Sequence, residues 1–262
     1  MWGDVTPAER LRAIARRSVS DDDLAIEAAD ALAGFAVEPA HLVVACRRVL
    51  AHRRRHGTLW WLCARILAAP DPVAAAREAT AMLGADRTAS RIAATLPLLD
   101  EDEVVAVVGW PPAVDEALAE RQDVAAVSVR VDGVDPTSAQ RYRRSERAVR
   151  IVDQWDPILE RIRVLFVAAD AVGPDHAVVP EGTGAVVDAF GRVARETWLV
   201  GGVGRVLPGR LFEALAVAAP DAEMLSLQRV DRLAGTRGVE PPTEAAKRAD
   251  CPVAPELLRP LD

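Results

Sequence analysis

The chain has 262 residues, enough for one large domain or for a medium domain with a smaller companion. Half of the residues are apolar and 27% are charged, as in a globular protein with a real core. Aromatics make up only 4%, so that core must rest on Ala, Val and Leu. A net charge of −7 and a pI near 5.3 argue against nucleic acid as a bulk electrostatic partner, which leaves only a local basic patch open.

The first residues, MWGDVTPAERLRAIARR, carry no apolar core of the secretory kind. No apolar run reaches the ~18 residues of a membrane span. A cytoplasmic protein with no membrane partner is expected. Cys46, Cys63 and Cys251 are widely spaced, without zinc-ligand spacing, and no disulfide framework is expected. Neither a metal nor a cofactor is predicted.

Residues 1–95 read as a helical N-terminal domain. Thr6-Pro7-Ala8-Glu9 combines an N-cap, a Pro at the first helical position and a Glu three residues after the cap. Asp21, Asp22 and Asp23 open a second helix, with Gly34 as its stop. A long helical stretch runs from Pro39 to Ala69, divided at Gly57. Its apolar face comes from Val43, Val44, Leu50, Leu59, Leu62, Ile66 and Leu67. After Pro70-Asp71-Pro72 a further helix runs to Gly84. The Arg53-Arg54-Arg55-His56 cluster reads as a phosphate or RNA contact, or as a solvated helix face or partner surface. The acidic total favours the latter. Trp60 and Trp61 cannot share one helical face, so one of them is expected against a second domain or a subunit partner. His52 and His56 have the i, i+4 spacing of two metal ligands, but no carboxylate is near and Arg53 to Arg55 would repel a cation.

Residues 96–262 read as a Rossmann-like α/β domain with a C-terminal tail, after a linker near Gly84 to Asp102. Strands are predicted at Val104–Val108, Val124–Val131, Val149–Val152, Val164–Ala168 and Thr197–Val200. Helices are predicted at 113–121, 141–150, 184–195 and 208–219, with a helical turn or two at 157–162. Strands alternating with helices over short loops imply a doubly wound parallel sheet. The tail after Pro220 is polar and Pro-rich and is expected to wrap the surface.

The informative stretch is Val164 to Thr183, VLFVAADAVGPDHAVVPEGT. An unbroken apolar run is what a strand covered on both faces looks like. Asp170 follows it, and ligands of open α/β sheets bind beyond the carboxyl ends of strands. A carboxylate there suits general acid/base work or ligand hydroxyls, or it caps the next loop. Gly182-Thr183-Gly184 opens a helix whose free N–H groups favour an anion. Taken alone, those residues favour an ordinary Thr N-cap with flexible Gly neighbours. Gly201-Gly202-Val203-Gly204 follows a strand, as a phosphate loop would. It fails the dinucleotide fingerprint, because Leu207 stands at the last glycine position. Lys247 is the only lysine and lies in the tail, so no Walker sequence exists. His176 is near Asp170 in sequence and reads either as a pocket residue or as an exposed loop residue.

These residues resemble the family of the regulatory (alpha, beta, delta) subunits of eukaryotic translation initiation factor 2B. That family also holds methylthioribose-1-phosphate isomerase and ribose-1,5-bisphosphate isomerase. Its members carry a strand ending in Gly-Ala-Asp, a turn, then Asn-Lys-x-Gly-Thr opening a helix. Ala169-Asp170 and Gly182-Thr183 match at similar spacing, ETWLVGG lies where the following strand is expected, and the segment CPVAPELLRPLD resembles the one that closes family members. The resemblance covers about residues 40–262 and is sharp over 100–205. It implies a helical domain before a Rossmann-like one, of the sugar-phosphate isomerase and CoA-transferase-like type, and a homodimer.

Three departures bear on function. The first strand ends Gly109-Trp110-Pro111, where the isomerases have a Cys. Pro180-Glu181 replaces the Asn-Lys, and Arg130-Val131-Asp132-Gly133 replaces a Glu-Ser-Arg-Pro. The expectation is therefore an initiation factor 2B-like protein binding a small phosphorylated ligand, a sugar phosphate or nucleotide, without catalysis. The ligand would meet Gly109, Trp110, Arg130, Asp170, Gly182, Thr183, Gly201 and Gly202. Two alternatives stand beside it. One is an aldose–ketose isomerase in which Asp170 is catalytic and His176 or Glu181 supplies the second proton-transfer group. The other is a protein-interaction module with a vestigial pocket.

Overall fold

The change from helical to alternating periodicity near residue 100 divides the secondary structure. A computed structural model describes residues 9, 11, 21–131, 149–153, 156–190 and 195–261. The Thr6 cap, the charged stretch predicted helical up to Arg150, Asp132-Gly133 and the last turn of the helix predicted over 184–195 lie wholly or largely outside the described residues. By compactness the chain forms two units, one of residues 1–85, 203–220 and 249–262, the other of residues 86–202 and 221–248.

In the first unit, helices α1 (Asp21–Ala33), α2 (Pro39–His52), α3 (Gly57–Ala68) and α4 (Pro72–Gly84) pack on one another, and α8 (Gly209–Ala218) packs on α3. Gly57 divides the long stretch as its first α3 residue. Asp71 caps α4, its carboxylate accepting from the N–H groups of Val73 and Ala74 at 3.0 Å each. Trp60 and Trp61 are both fully buried. Trp60 Nε1 donates to the Arg54 carbonyl at 2.9 Å. The ring of Trp61 lies against Gly204, whose φ of +76° leaves no room for a side chain: a Cβ there would sit 3.0 Å from the indole. The free thiols of Cys46 and Cys63 meet in this core. Their hydrogen bond, then burial, pushes the Cys46 thiol well above its usual value.

The second unit carries the sheet. Its strands are β1 (Val104–Val108), β2 (Ala125–Val129), β3 (Arg150–Val152), β4 (Ile162–Ala168), β7 (Glu196–Gly201), β9 (Arg232–Gly235) and β10 (Gly238–Glu240), in the order β10-β9-β7-β4-β1-β2-β3. All pairs are parallel except the hairpin of β9 and β10. The fold is thus α/β, with a mostly parallel sheet after a helical region. Helices α5 (Thr88–Thr95), α6 (Pro112–Glu120), α7 (Thr183–Phe190) and α9 (Pro242–Ala246) belong to this unit. β1 and β4 are the paired centre, and their residues Val105, Val107, Val164 and Phe166 join Trp110, Val114 and Trp198 in one apolar cluster. Phe166 and Trp198 meet edge to face, with ring centroids 5.5 Å apart, a geometry worth about 0.5–1.5 kcal/mol beyond burial.

Two expectations are corrected. The segment between Asp170 and Thr183 is no loop but a hairpin of β5 (Ala171–Val172) and β6 (His176–Val179), extended by β8 (Glu223–Ser226) into a small antiparallel sheet. The residues after Pro220 do not merely wrap the surface. They supply β8, β9 and β10, because short apolar runs such as Leu233-Ala234 fill the edge beside β7. Among the described residues no helix is long and apolar enough to cross a membrane.

Candidate functional site

The connections from β1 lead through β2 to β3 on one side, and the chain then returns across β1 to β4 on the other. The topological switch point of the sheet therefore lies between β1 and β4, the place where such sheets take ligands. Gly109, Trp110, Arg130, Asp170, Gly201 and Gly202 all lie at or just beyond the carboxyl ends of parallel strands, as the sequence predicts.

The end of β1 is tightly filled. Gly109 has a φ of +78°, and a Cβ there would lie 2.7 Å from Ala168 Cβ and 3.2 Å from Pro180 Cγ. Only glycine lets the β1 end, the β4 end and the turn before α7 close on one another. Trp110 follows with a φ of +43°, which a bulky residue rarely adopts. Its indole is buried in the apolar cluster, and its Nε1 donates to the buried Asp115 carboxylate at 3.2 Å. That bond and the burial hold the strained backbone in place. The position after the first strand thus holds a core side chain.

Beyond β4 the Ala169 N–H still donates to Val200 O at 3.0 Å, whereas the Asp170 N–H donates to Val178 O at 2.8 Å. The chain leaves the main sheet at that residue, and half-buried Asp170 stands at the branch. His176 and Glu181 are both exposed. His176 is two residues along β6 from Val178, about 7 Å at strand spacing. Arg130 is exposed at the end of β2, its Nε 3.5 Å from Asp153 Oδ1.

The helix start that reads as an anion site has protein partners of its own. Fully buried Thr183 donates its hydroxyl to Pro180 O at 2.5 Å. The Gly184 N–H donates to the Glu223 carboxylate at 2.6 Å. Arg229 Nη2 donates to Gly184 O at 2.7 Å and to Asp188. A helix start favours an anion, and here the anion is a side chain from β8. A Cβ at 184 would meet that carboxylate, so a larger residue there would have to move the Glu223 side chain. Gly202 repeats the pattern: a Cβ there would lie 2.6 Å from Asp86 Oδ2, while Asp86 Oδ1 accepts from the Thr88 N–H at 2.9 Å and from its hydroxyl at 2.7 Å. Gly201 ends β7, and a side chain on its partner Gly235 would press on the Gly201 carbonyl at 3.1 Å.

Sequence reasoning missed Glu223, Asp86 and Arg229. Glu223 is far from Gly184 along the chain, and its strand is only four residues long in a proline-rich segment. The glycines were the available signal, since each marks a place where something must approach the backbone.

No protein-family model matches the sequence, and no curated protein matches it. Solved structures do. The translation initiation factor eIF-2B of Pyrococcus horikoshii OT3 superposes with a TM-score of 0.72 at 15% identity, over 92% of this chain and 98% of that one. The eIF2B beta subunit of Chaetomium thermophilum gives 0.68 at 10% identity, over 94% and 92%. The tetrameric eIF2B-beta2-delta2 complex of C. thermophilum gives 0.70 at 12% identity, over 92% of each chain. The chain shares the fold of these initiation factor subunits.

Proposed function

We propose that this chain is a non-catalytic relative of the initiation factor 2B regulatory subunits, working as one subunit of an assembly. The observation that carries this reading is the hydrogen bond of the Gly184 N–H to Glu223, which puts a protein carboxylate where a ligand phosphate would sit. An incoming phosphate must displace that carboxylate or suffer its repulsion. Trp110 adds to the case, being a buried core residue where the isomerases hold their Cys. His176 and Glu181, the two groups that would share proton transfer with Asp170 in an isomerase, are both exposed. The C. thermophilum complex, a tetramer by its description, supports an assembling role.

Sedimentation velocity over a hundredfold concentration range tests the assembly, as a dimer or larger. A monomer throughout overturns it. Incubation with methylthioribose 1-phosphate and ribose 1,5-bisphosphate tests the absence of catalysis. Turnover that disappears in Asp170→Asn overturns it and restores the isomerase reading.

A second reading, a small phosphorylated ligand at the strand ends, is favoured by the exposed Arg130 guanidinium beside that edge. Under it, sugar phosphates or nucleotides raise the melting temperature by mass action, and Arg130→Ala abolishes the rise. No rise with any of them at ten millimolar leaves the assembly reading alone.

A further inference from the structure

In the helical unit a hollow of about 390 Å³ carries an unusual charge for an acidic chain. Three arginines from three separate stretches line it, Arg54 after α2, Arg210 in the first turn of α8, and Arg259 near the C-terminus. Glu213 is the single carboxylate among the lining residues. Arg210, Ala214 and Val217 follow i, i+4, i+7 and so form one face of α8. Ala214, Val217 and Leu258 add an apolar part to the lining beside the three arginines, and Val217 is 72% exposed.

The walls are held in place. Arg54 donates to Ala51 O at 3.1 Å and to Ala218 O at 3.5 Å. The segment that bears Arg259 is fixed by Arg47, which donates to the carbonyls of Glu256 at 3.1 Å, of Arg259 at 3.2 Å and of Pro260. Among the described residues the guanidinium groups of Arg210 and Arg259 have no hydrogen bond or ion pair. Their forked donors suit a phosphate or carboxylate.

We propose that this hollow binds a small organic anion, a phosphate or carboxylate with an apolar body, its charge between Arg210, Arg259 and Arg54 and its body over Ala214, Val217 and Leu258. The size fits a small molecule. Ligand pockets span roughly 300–1,000 Å³, whereas a stable protein interface covers about 800 Å² per partner.

The test is calorimetric titration of the full chain with phenyl phosphate, benzoate, inorganic phosphate and phenol. The expected result is binding of phenyl phosphate or benzoate at least about fivefold tighter than inorganic phosphate, weakened by salt, and none of phenol. Arg210→Ala and Arg259→Ala each weaken it about fivefold, with unchanged circular dichroism, since both side chains are exposed. Equal affinity for phenyl phosphate and inorganic phosphate overturns the proposal. So does binding that survives both substitutions. Loss in Arg130→Ala instead places the anion at the strand ends, which refutes this site and supports the second functional reading.

Discussion

The closure of the β1 end makes Gly109→Ala a sharp test of the strand-end geometry. The new Cβ would lie 2.7 Å from Ala168 Cβ, against an ordinary carbon–carbon contact of about 3.5–4.0 Å. The obstacle is the Cβ of a residue hydrogen-bonded into β4, not the far end of a flexible side chain. Relief therefore requires the β1 and β4 ends to part. A left-handed φ costs a residue with a Cβ about 1–2 kcal/mol, and overpacking adds about 1–3 kcal/mol. The expected loss is about 2–5 kcal/mol, or a fall in melting temperature of about 5–15 °C for a unit of this size. Near-ultraviolet circular dichroism, followed through the bands of Trp110 and Trp198, reads the unit in question. Gly84→Ala is the control: nothing lies within 4 Å of its added Cβ at the end of α4, so it is neutral or stabilising by up to about 1 kcal/mol. A Gly109→Ala protein that melts within about 2 °C of the parent refutes the packing argument.

Four further outcomes follow from other contacts. Thr183→Val removes the hydroxyl donor of the Pro180 carbonyl, which keeps the backbone N–H of residue 183 at 3.2 Å, and lowers stability by about 0.5–1.5 kcal/mol in urea titration. Glu223→Ala removes the carboxylate from the α7 start and costs about 1–2 kcal/mol, whereas Glu223→Gln keeps an acceptor and costs less, a ranking that thermal melts at low salt will show. Asp71→Ala removes the α4 cap at about 1 kcal/mol, read as a shift in the urea midpoint. Burial pushes the Cys251 thiol up to about 12, with Asp250 adding to the effect and Arg65 opposing it. The unfolded thiol ionises near 9, so stability present below that pH is lost progressively between pH 9 and 12, at about 1.4 kcal/mol per unit. Cys251→Ala removes that component of the slope, which melts at stepped pH will measure.

The order of elements was legible in local pattern. Helical spacing with the punctuation of Gly57 and Pro72 separates α2, α3 and α4, and the apolar runs of β1, β4 and β7 announce buried parallel strands, because both periods are properties of the chain itself. The strand ends were legible for the same reason, and with them the positions of Asp170, Gly109 and Arg130. What lies around those positions was not. Glu223 reaches Gly184, Asp86 reaches Gly202, and Pro180 closes on Gly109 across long stretches of sequence or between strands. Gly109, Gly184 and Gly202 record only that something comes close to the backbone there. Whether a ligand or the protein's own carboxylate takes that room is decided by tertiary packing, since a helix start attracts either through the same exposed N–H groups. The tail shows the same limit. Its strands are short, and β9 becomes a strand where the open edge of β7 supplies the hydrogen bonds that the local sequence does not, while β10 pairs in turn with β9.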